Sequence, residues 1–337
     1  VNSLLTNQTP LPAIVKPYRD HLGQSHVLVI AKASWRISTD RMAPAEKQVP
    51  LHMEPVRLRI GDFELDTAQC EAVRQRLDQQ VVWIDHDLMP PKPAFDVIVA
   101  GYATAPPKHA EMFIDAGIKI GENTGSIRAH TPRCWQKSWL GYRPRPLSPV
   151  VRRVPVSYAF SDWSEGFDID PGKDGPDVVA YLPWIESLHA SAKRRGHARA
   201  PAGLGYWPEN AAHRRIHAGK YDDEWQKNVS PHLPKSFNPC FFNAAHPDLQ
   251  LKSAPLPGTA IRLVHLAPQA ILDCSFPHLN LSAQGRTAGG EMLVPVSLKP
   301  DTLTIEPDED RFSIVWRALL PAGSAQSAVR TVRLFRS

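Results

Sequence analysis

Apolar residues along the chain fall in short, β-branched runs separated by proline, glycine and polar clusters. Ser25 to Ile37 is rich in Val and Ile and ends on Ser34-Trp35-Arg36-Ile37. Phe95 to Tyr102 is a short apolar run with proline on either side. Phe113 to Ile120, Val150 to Phe160, Ala260 to Leu266, Ala270 to Phe276, Glu291 to Leu298, Phe312 to Leu319 and Ala328 to Phe335 complete the set. Runs of this length and content predict strands. Helical signals are few. Asp66 can cap with Gln69 three residues on, and Ala68, Ala72, Val73 and Leu77 share a side, which predicts a helix over Asp66 to Gln80. Pro183 suits a first turn and Gly196 a stop, which predicts a helix over Pro183 to Arg195. Tyr221 to Asn228 reads as a short helical turn. The expected fold is mainly β: antiparallel sheets, sandwich- or barrel-like, with few short helices and long proline-rich loops.

Proline sharpens that expectation. The chain has 33 prolines in 337 residues, roughly twice the usual ~5%. Proline cannot donate to a sheet ladder and disrupts helix interiors, so many short elements joined by ordered turns are expected. The length suits about two domains. Gly141 to Pro149 reads as a linker or a long proline-fixed loop. It divides the chain into a β-rich part, 1–148, and a second β-rich part, 149–337, which carries a long loop over 201–250. One intertwined domain is the alternative.

Charge and cysteine change the picture little. The formal net charge is +5. The densest basic stretch is Lys193-Arg194-Arg195-Gly196-His197-Ala198-Arg199, and Arg143, Arg145, Arg152 and Arg153 form a looser group. No aromatic stacking motif interleaves these charges, so they read as solvated loops. Cys70, Cys134, Cys240 and Cys274 form no Cys-x-x-Cys pair, and cysteines this scattered suit a reducing compartment. No apolar run approaches the roughly 20 residues that cross a bilayer, and Val1 to Thr6 does not read as a signal peptide.

Tests for chemistry come back weak. The chain has no Gly-x-x-x-x-Gly-Lys-[Ser/Thr] loop, no Gly-x-Gly-x-x-Gly after a strand and no Gly-x-Ser-x-Gly elbow. His213-x-x-x-His217 is the best metal candidate: about 6 Å apart on a helix, about 13 Å apart on a strand. Arg214 and Arg215 between them would oppose a cation. Asp85-His86-Asp87 is followed by Met89-Pro90-Pro91-Lys92-Pro93 and reads as a rigid turn whose carboxylates bond backbone N–H groups. No catalytic, cofactor or metal site is therefore assigned. A metal-assisted hydrolase on His213 and His217, and a basic nucleic-acid-binding module on residues 193–199, stand as alternatives.

Two stretches carry most of the information. His86 to Pro106 is a proline-locked turn, a buried strand and a proline stop, with Lys92 placed to pair with Asp96 and Gly101 placed for a bulge or close backbone approach. Residues 201–250 alternate glycine, proline and aromatics, and a loop of that length is often functional. Tyr221, Trp225, Phe237, Phe241 and Phe242 can pin it to the core, and any left exposed would suit a partner protein.

These stretches resemble domain-of-unknown-function family 2169. The resemblance rests on Asp87-Leu88-x-Pro90-x-Lys92-Pro93-x-x-Asp96-Val97 with Gly101, Pro201-Ala202-Gly203-x-Gly205, Ala218-Gly219-x-Tyr221-Asp222-x-x-Trp225 and Leu233-Pro234-x-x-Phe237. It continues through Phe241-Phe242-Asn243-Ala244-Ala245-x-Pro247-Asp248-x-Gln250, with Asn7-x-Thr9-Pro10 and Val315-Trp316-Arg317 near the ends. Leu204, Tyr206, Lys220 and Cys240 depart from the family pattern, so the chain is identified as a divergent member. The resemblance implies an adaptor-chaperone of bacterial type VI secretion. Such a protein acts in the cytoplasm, binds a toxic effector and helps load it onto the spike trimer or its Pro-Ala-Ala-Arg cap. No membrane or nucleic-acid partner is implied, and the motif residues are expected to preserve the fold more than to touch the effector.

Overall fold

A computed structural model describes residues 4–37, 43–63, 77–106, 112–146, 152–161, 178–188, 202–323 and 327–337. The fold is mainly β, and among the described residues it has several antiparallel sheets, few short helices and no closed barrel. The largest sheet runs in the order Gln250–Leu251, Phe95–Val99, Lys299–Glu306, Arg311–Pro321, Ser25–Arg36, Ala13–Arg19. Ala43–Pro44 pairs with the far end of Ser25–Arg36. Phe95–Val99 lies parallel to Lys299–Glu306, and the remaining neighbours in this sheet are antiparallel. Ser25–Arg36 is in register with Arg311–Pro321 from Arg36 against Arg311 to His26 against Pro321, so both ends of the chain build its centre.

The period-two alternation of strands explains how this sheet faces two environments. Val27, Val29, Ala31, Ala33 and Trp35 share one face with Phe312, Ile314, Trp316, Ala318 and Leu320, all buried in the main apolar core. Trp35 stacks on Phe312 at 5.6 Å and meets Trp316 at 6.0 Å. The Val, Leu, Ile and Phe side chains of this face each contribute about 1.5–3 kcal/mol when fully buried. The opposite face begins apolar, with Leu28, Ile30 and Val315, and then turns polar at Lys32, Ser34, Ser313 and Arg317, all of them buried.

A second sheet runs Ile185–Ser187, Asn123–His130, Phe113–Ile120, Ala260–Val264, Ile271–Ser275. Its alternate residues Ile114, Ala116, Ile118, Ile120, Ile127, Ala129, Ile261 and Leu263 join the same core. Smaller sheets flank these. Leu4–Asn7, Val329–Arg336, Leu281–Thr287 and Val296–Ser297 form one, and Gly141–Pro146, Arg133–Ser138 and Val178–Leu182 form another. Two more are two-stranded, Arg153–Pro155 with Tyr102–Thr104 and Val56–Arg59 with Gln80–Ile84.

Several expectations need correction. Pro183 to Arg195 does not begin as a helix. Ile185–Ser187 is a strand against Ile127–Ala129, with Trp184 and Ile185 buried, so core packing overrides the capping signals. Residues 189–201 lie outside the described residues, as does most of the helix expected over Asp66 to Gln80; Gln80 itself opens a strand. Among the described residues of Val150 to Phe160 the strand is confined to Arg153–Pro155, and a tight turn follows at Tyr158–Phe160, where Ser157 Oγ accepts from Ala159 N. Glu291 to Leu298 keeps only Val296–Ser297, beyond the interruption at Pro295. Gly141 to Pro146, read as linker, is a strand antiparallel to Arg133–Ser138.

Candidate functional site

The signature turn Asp87 to Asp96 lies over the polar face of the central sheet. Lys32 Nζ sits 3.1 Å from Asp87 Oδ2, with both side chains almost closed to solvent. His52 N donates to the same oxygen at 2.8 Å. Arg317 Nε and Nη2 donate to the Asp87 carbonyl at 3.3 and 3.0 Å, and Nη1 pairs with the buried Asp301. Asp301 also accepts from Lys92 N at 3.1 Å and Thr302 Oγ1 at 2.9 Å. Burial raises its carboxyl above the ordinary range, against the pull of Arg317 and Lys92. Buried ions persist only when paired and hydrogen-bonded, and this turn supplies both.

The second half of the motif ties the long loop to the same place. Lys92 Nζ lies 2.7 Å from Asp96 Oδ2. Asp96 further accepts from Asn243 Nδ2 at 2.9 Å and Ala244 N at 2.8 Å. Asn243 Nδ2 also donates to Ala94 O at 2.8 Å. Gln250 is in register with Asp96, and its Nε2 donates to Ala245 O at 2.9 Å. Pro247 opens the tight turn that precedes it, and the buried Leu249 closes that turn. Pro90 is buried under this arrangement, whereas Pro93 is exposed.

The loop from Ala202 onward runs beside Phe95–Val99. Val99 N donates to Leu204 O at 2.8 Å, and Leu204 N to Val156 O at 2.9 Å. Gly203 has φ +135°, and a Cβ there would stand 2.9 Å from Tyr158 N, which dictates glycine. Gly205 N donates to Val156 O at 3.1 Å, and Val156 N to Gly101 O at 3.0 Å. Tyr206, fully buried, contacts Thr304 Oγ1 at 3.2 Å, and burial pushes its phenol well above the usual range. Pro201 lies outside the described residues.

Beyond Tyr206 the loop forms an aromatic cluster. Trp207 packs on Tyr158 at 4.6 Å, His213 at 4.4 Å and His246 at 5.1 Å. Arg214 is buried, donating from Nε to Phe241 O at 2.9 Å and from Nη1 to Trp207 O at 2.7 Å. Burial, with Arg214 and His246 close by, pushes His213 down to about 4. Trp207 Nε1, Arg214 Nη2 and both His213 ring nitrogens are buried without a protein partner.

The remaining motif residues fold the loop onto itself. Asp222 caps the helix Asp223–Asn228 by accepting from Trp225 N at 3.0 Å. Tyr221 meets Trp225 edge-on at 4.8 Å, and Trp225 Nε1 donates to His232 O at 2.8 Å. Gly219 has φ +82°, and its missing Cβ leaves room for Pro234 Cγ at 2.7 Å and Phe237 N at 2.9 Å. Pro234 and Phe237 are buried beside half-buried Leu233, and Phe237 contacts Phe241 at 5.5 Å and Phe242 at 5.2 Å. Of the loop aromatics singled out from sequence, Tyr221 alone is exposed, at 54%.

The chemical candidates come to rest in unlike surroundings. His213 lies on the short helix Ala212–Arg215, and His217 follows beyond its cap. Among the described residues no group of three or more His, Cys, Asp or Glu is placed to hold a metal ion. A cleft of about 260 Å³ opens between Gln79–Val82 and Ser157, Tyr158, Tyr206 and Asn210, and among the described residues no carboxylate, histidine or thiol lines it. The basic residues 193–199 lie outside the described residues. Among the described residues no helix is long and apolar enough to cross a membrane.

Sequence reasoning missed Lys32 and Asp301, the counter-ions of the motif. A lysine inside Val27-Leu28-Val29-Ile30-Ala31 followed by Ala33 is the signal that could have found the first. It also missed the tip of the hairpin Arg133–Pro146, where Trp139 is 91% and Leu140 79% exposed.

A family model described as "Uncharacterized protein conserved in bacteria (DUF2169)" matches residues 22–161 and 165–317. No curated protein and no solved structure matches.

Proposed function

The chain belongs to the bacterial family DUF2169, and from that premise we propose that it is an adaptor-chaperone of type VI secretion. It binds a cognate toxic effector in the cytoplasm, keeps it soluble and helps load it onto the spike trimer or its Pro-Ala-Ala-Arg cap. The observation that carries this reading is where the signature carboxylates point. The motif's Asp87 and Asp96 are buried against Lys32 and Lys92, and Asp301 beside them is buried against Arg317. Groups spent on internal bonds build a rigid frame and leave recognition to the surface around it. Effector binding would then bury apolar side chains within a polar rim.

Co-expression tests the reading. The toxin encoded beside this gene should gain soluble yield when the chain is present and should co-purify with it. Unchanged yield without co-purification would overturn it.

A further inference from the structure

We propose that the hairpin Arg133–Pro146 is a docking finger for an acidic, apolar-centred surface on the client protein; this rests on the adaptor reading above. From Asn123 to Ser161 the sequence contains no Asp or Glu, yet it carries Arg128, Arg133, Lys137, Arg143, Arg145, Arg152 and Arg153. Elsewhere in the molecule acidic partners neutralise some of these: Arg128 pairs with Asp115, Arg133 with Glu186 and Arg153 with Asp308. Lys137, Arg143 and Arg145 stand on the hairpin without an ion pair among the described residues and are exposed. Among the described residues, these three cations are left facing solvent.

The tip has the composition of an interface centre. Trp139 is 91% exposed and Leu140 79%, side by side in the turn, with Tyr142 next on the strand at 48%. Tryptophan, tyrosine and arginine are the residues that most often dominate binding energy. Val178–Leu182 pairs with Arg133–Ser138 only as far as Gln136, so Lys137, Ser138 and the tip lie beyond the last described pairing of that strand.

The mode of contact follows from the free edge. Among the described residues Gly141–Pro146 has one neighbour in its sheet, Arg133–Ser138. Pro144 and Pro146 lie two apart and so present the same backbone edge, which in an edge strand is the solvent side. That edge cannot accept an added strand, so recognition runs through side chains. The isobutyl group of Leu140 beside Trp139 favours an apolar protein pocket over stacked bases. One Trp and one Leu fall short of the apolar area an interfacial helix lays on a membrane.

The test uses the full chain and the inactivated toxin encoded beside it, with affinity measured at low and high salt. Trp139→Ala with Leu140→Ala should weaken binding at least tenfold. Arg143→Glu with Arg145→Glu should do the same and remove most of the salt dependence. Both pairs are on the surface, and their thermal midpoints should match the parent. If the parent binds and both variants bind equally well, the finger is overturned and the adaptor reading stands. If the parent binds no toxin, the adaptor reading fails and the finger with it. Salt-sensitive binding of the parent to phosphatidylglycerol vesicles or to single-stranded DNA, lost in both variants while toxin binding persists, also overturns the proposal.

Discussion

Lys92 Nζ and Asp96 Oδ2 lie 2.7 Å apart one helical turn's spacing along the chain, yet neither is in a helix, and both side chains are closed to solvent. The pair joins a proline-locked turn to the first residues of a central strand. Through Asn243 and Ala244 it also joins that strand to the long loop.

Removing the carboxylate should be the most damaging single change in the motif. Asp96→Ala strands the Lys92 ammonium and leaves Asn243 Nδ2 and Ala244 N without this acceptor. The expected loss is about 3–5 kcal/mol, read from denaturant midpoints at unchanged m-value. Adding Lys92→Met to Asp96→Ala should recover part of that loss, because the orphaned charge is gone. A double variant less stable than Asp96→Ala alone would contradict this account.

Gly219 should resist substitution. Its φ of +82° is strained for any L side chain, and a Cβ would stand 2.7 Å from Pro234 Cγ. Gly219→Ala should cost about 1–3 kcal/mol and open the segment Gly219–Phe237 to limited proteolysis before the sheets unfold. An alanine variant with parent-like stability and cleavage would contradict the close packing.

Acid should weaken the aromatic cluster. His213 is held neutral down to about 4, below its ordinary 6.5. Below 6.5 the unfolded chain takes up a proton that the native state refuses. This contribution is therefore complete above 6.5 and is lost as pH falls towards 4. The partly exposed ring limits its size to the order of 1–2 kcal/mol. His213→Gln should flatten the stability–pH curve in that window. A curve unchanged by the substitution would show that His213 is not held neutral.

Much of the fold was legible in the sequence, for physical reasons. Ser25–Arg36 and Arg311–Pro321 each carry one continuous apolar face and short runs of Val and Ile, so composition alone marked them as strands. Lys92 and Asp96 were close enough in sequence for their pairing to be read directly. Lys299–Glu306 was missed because Asp301, Thr302 and Thr304 make a central strand look like a loop; only their buried partners explain them. Gly141–Pro146 was misread because proline usually signals a linker, whereas here it guards an edge. Lys32 and Asp87 are 55 residues apart, and Asp301 meets Arg317 only because their two consecutive strands pair, so no local pattern announces either contact.

Elution of the purified chain mixed with its neighbouring inactivated toxin, followed by light scattering, probes the central claim most directly. A single species with the summed mass of the two is predicted, because a frame locked from within leaves its outer surface to grip another polypeptide. Separate peaks at every mixing ratio, with the toxin staying dispersed on its own, would contradict it.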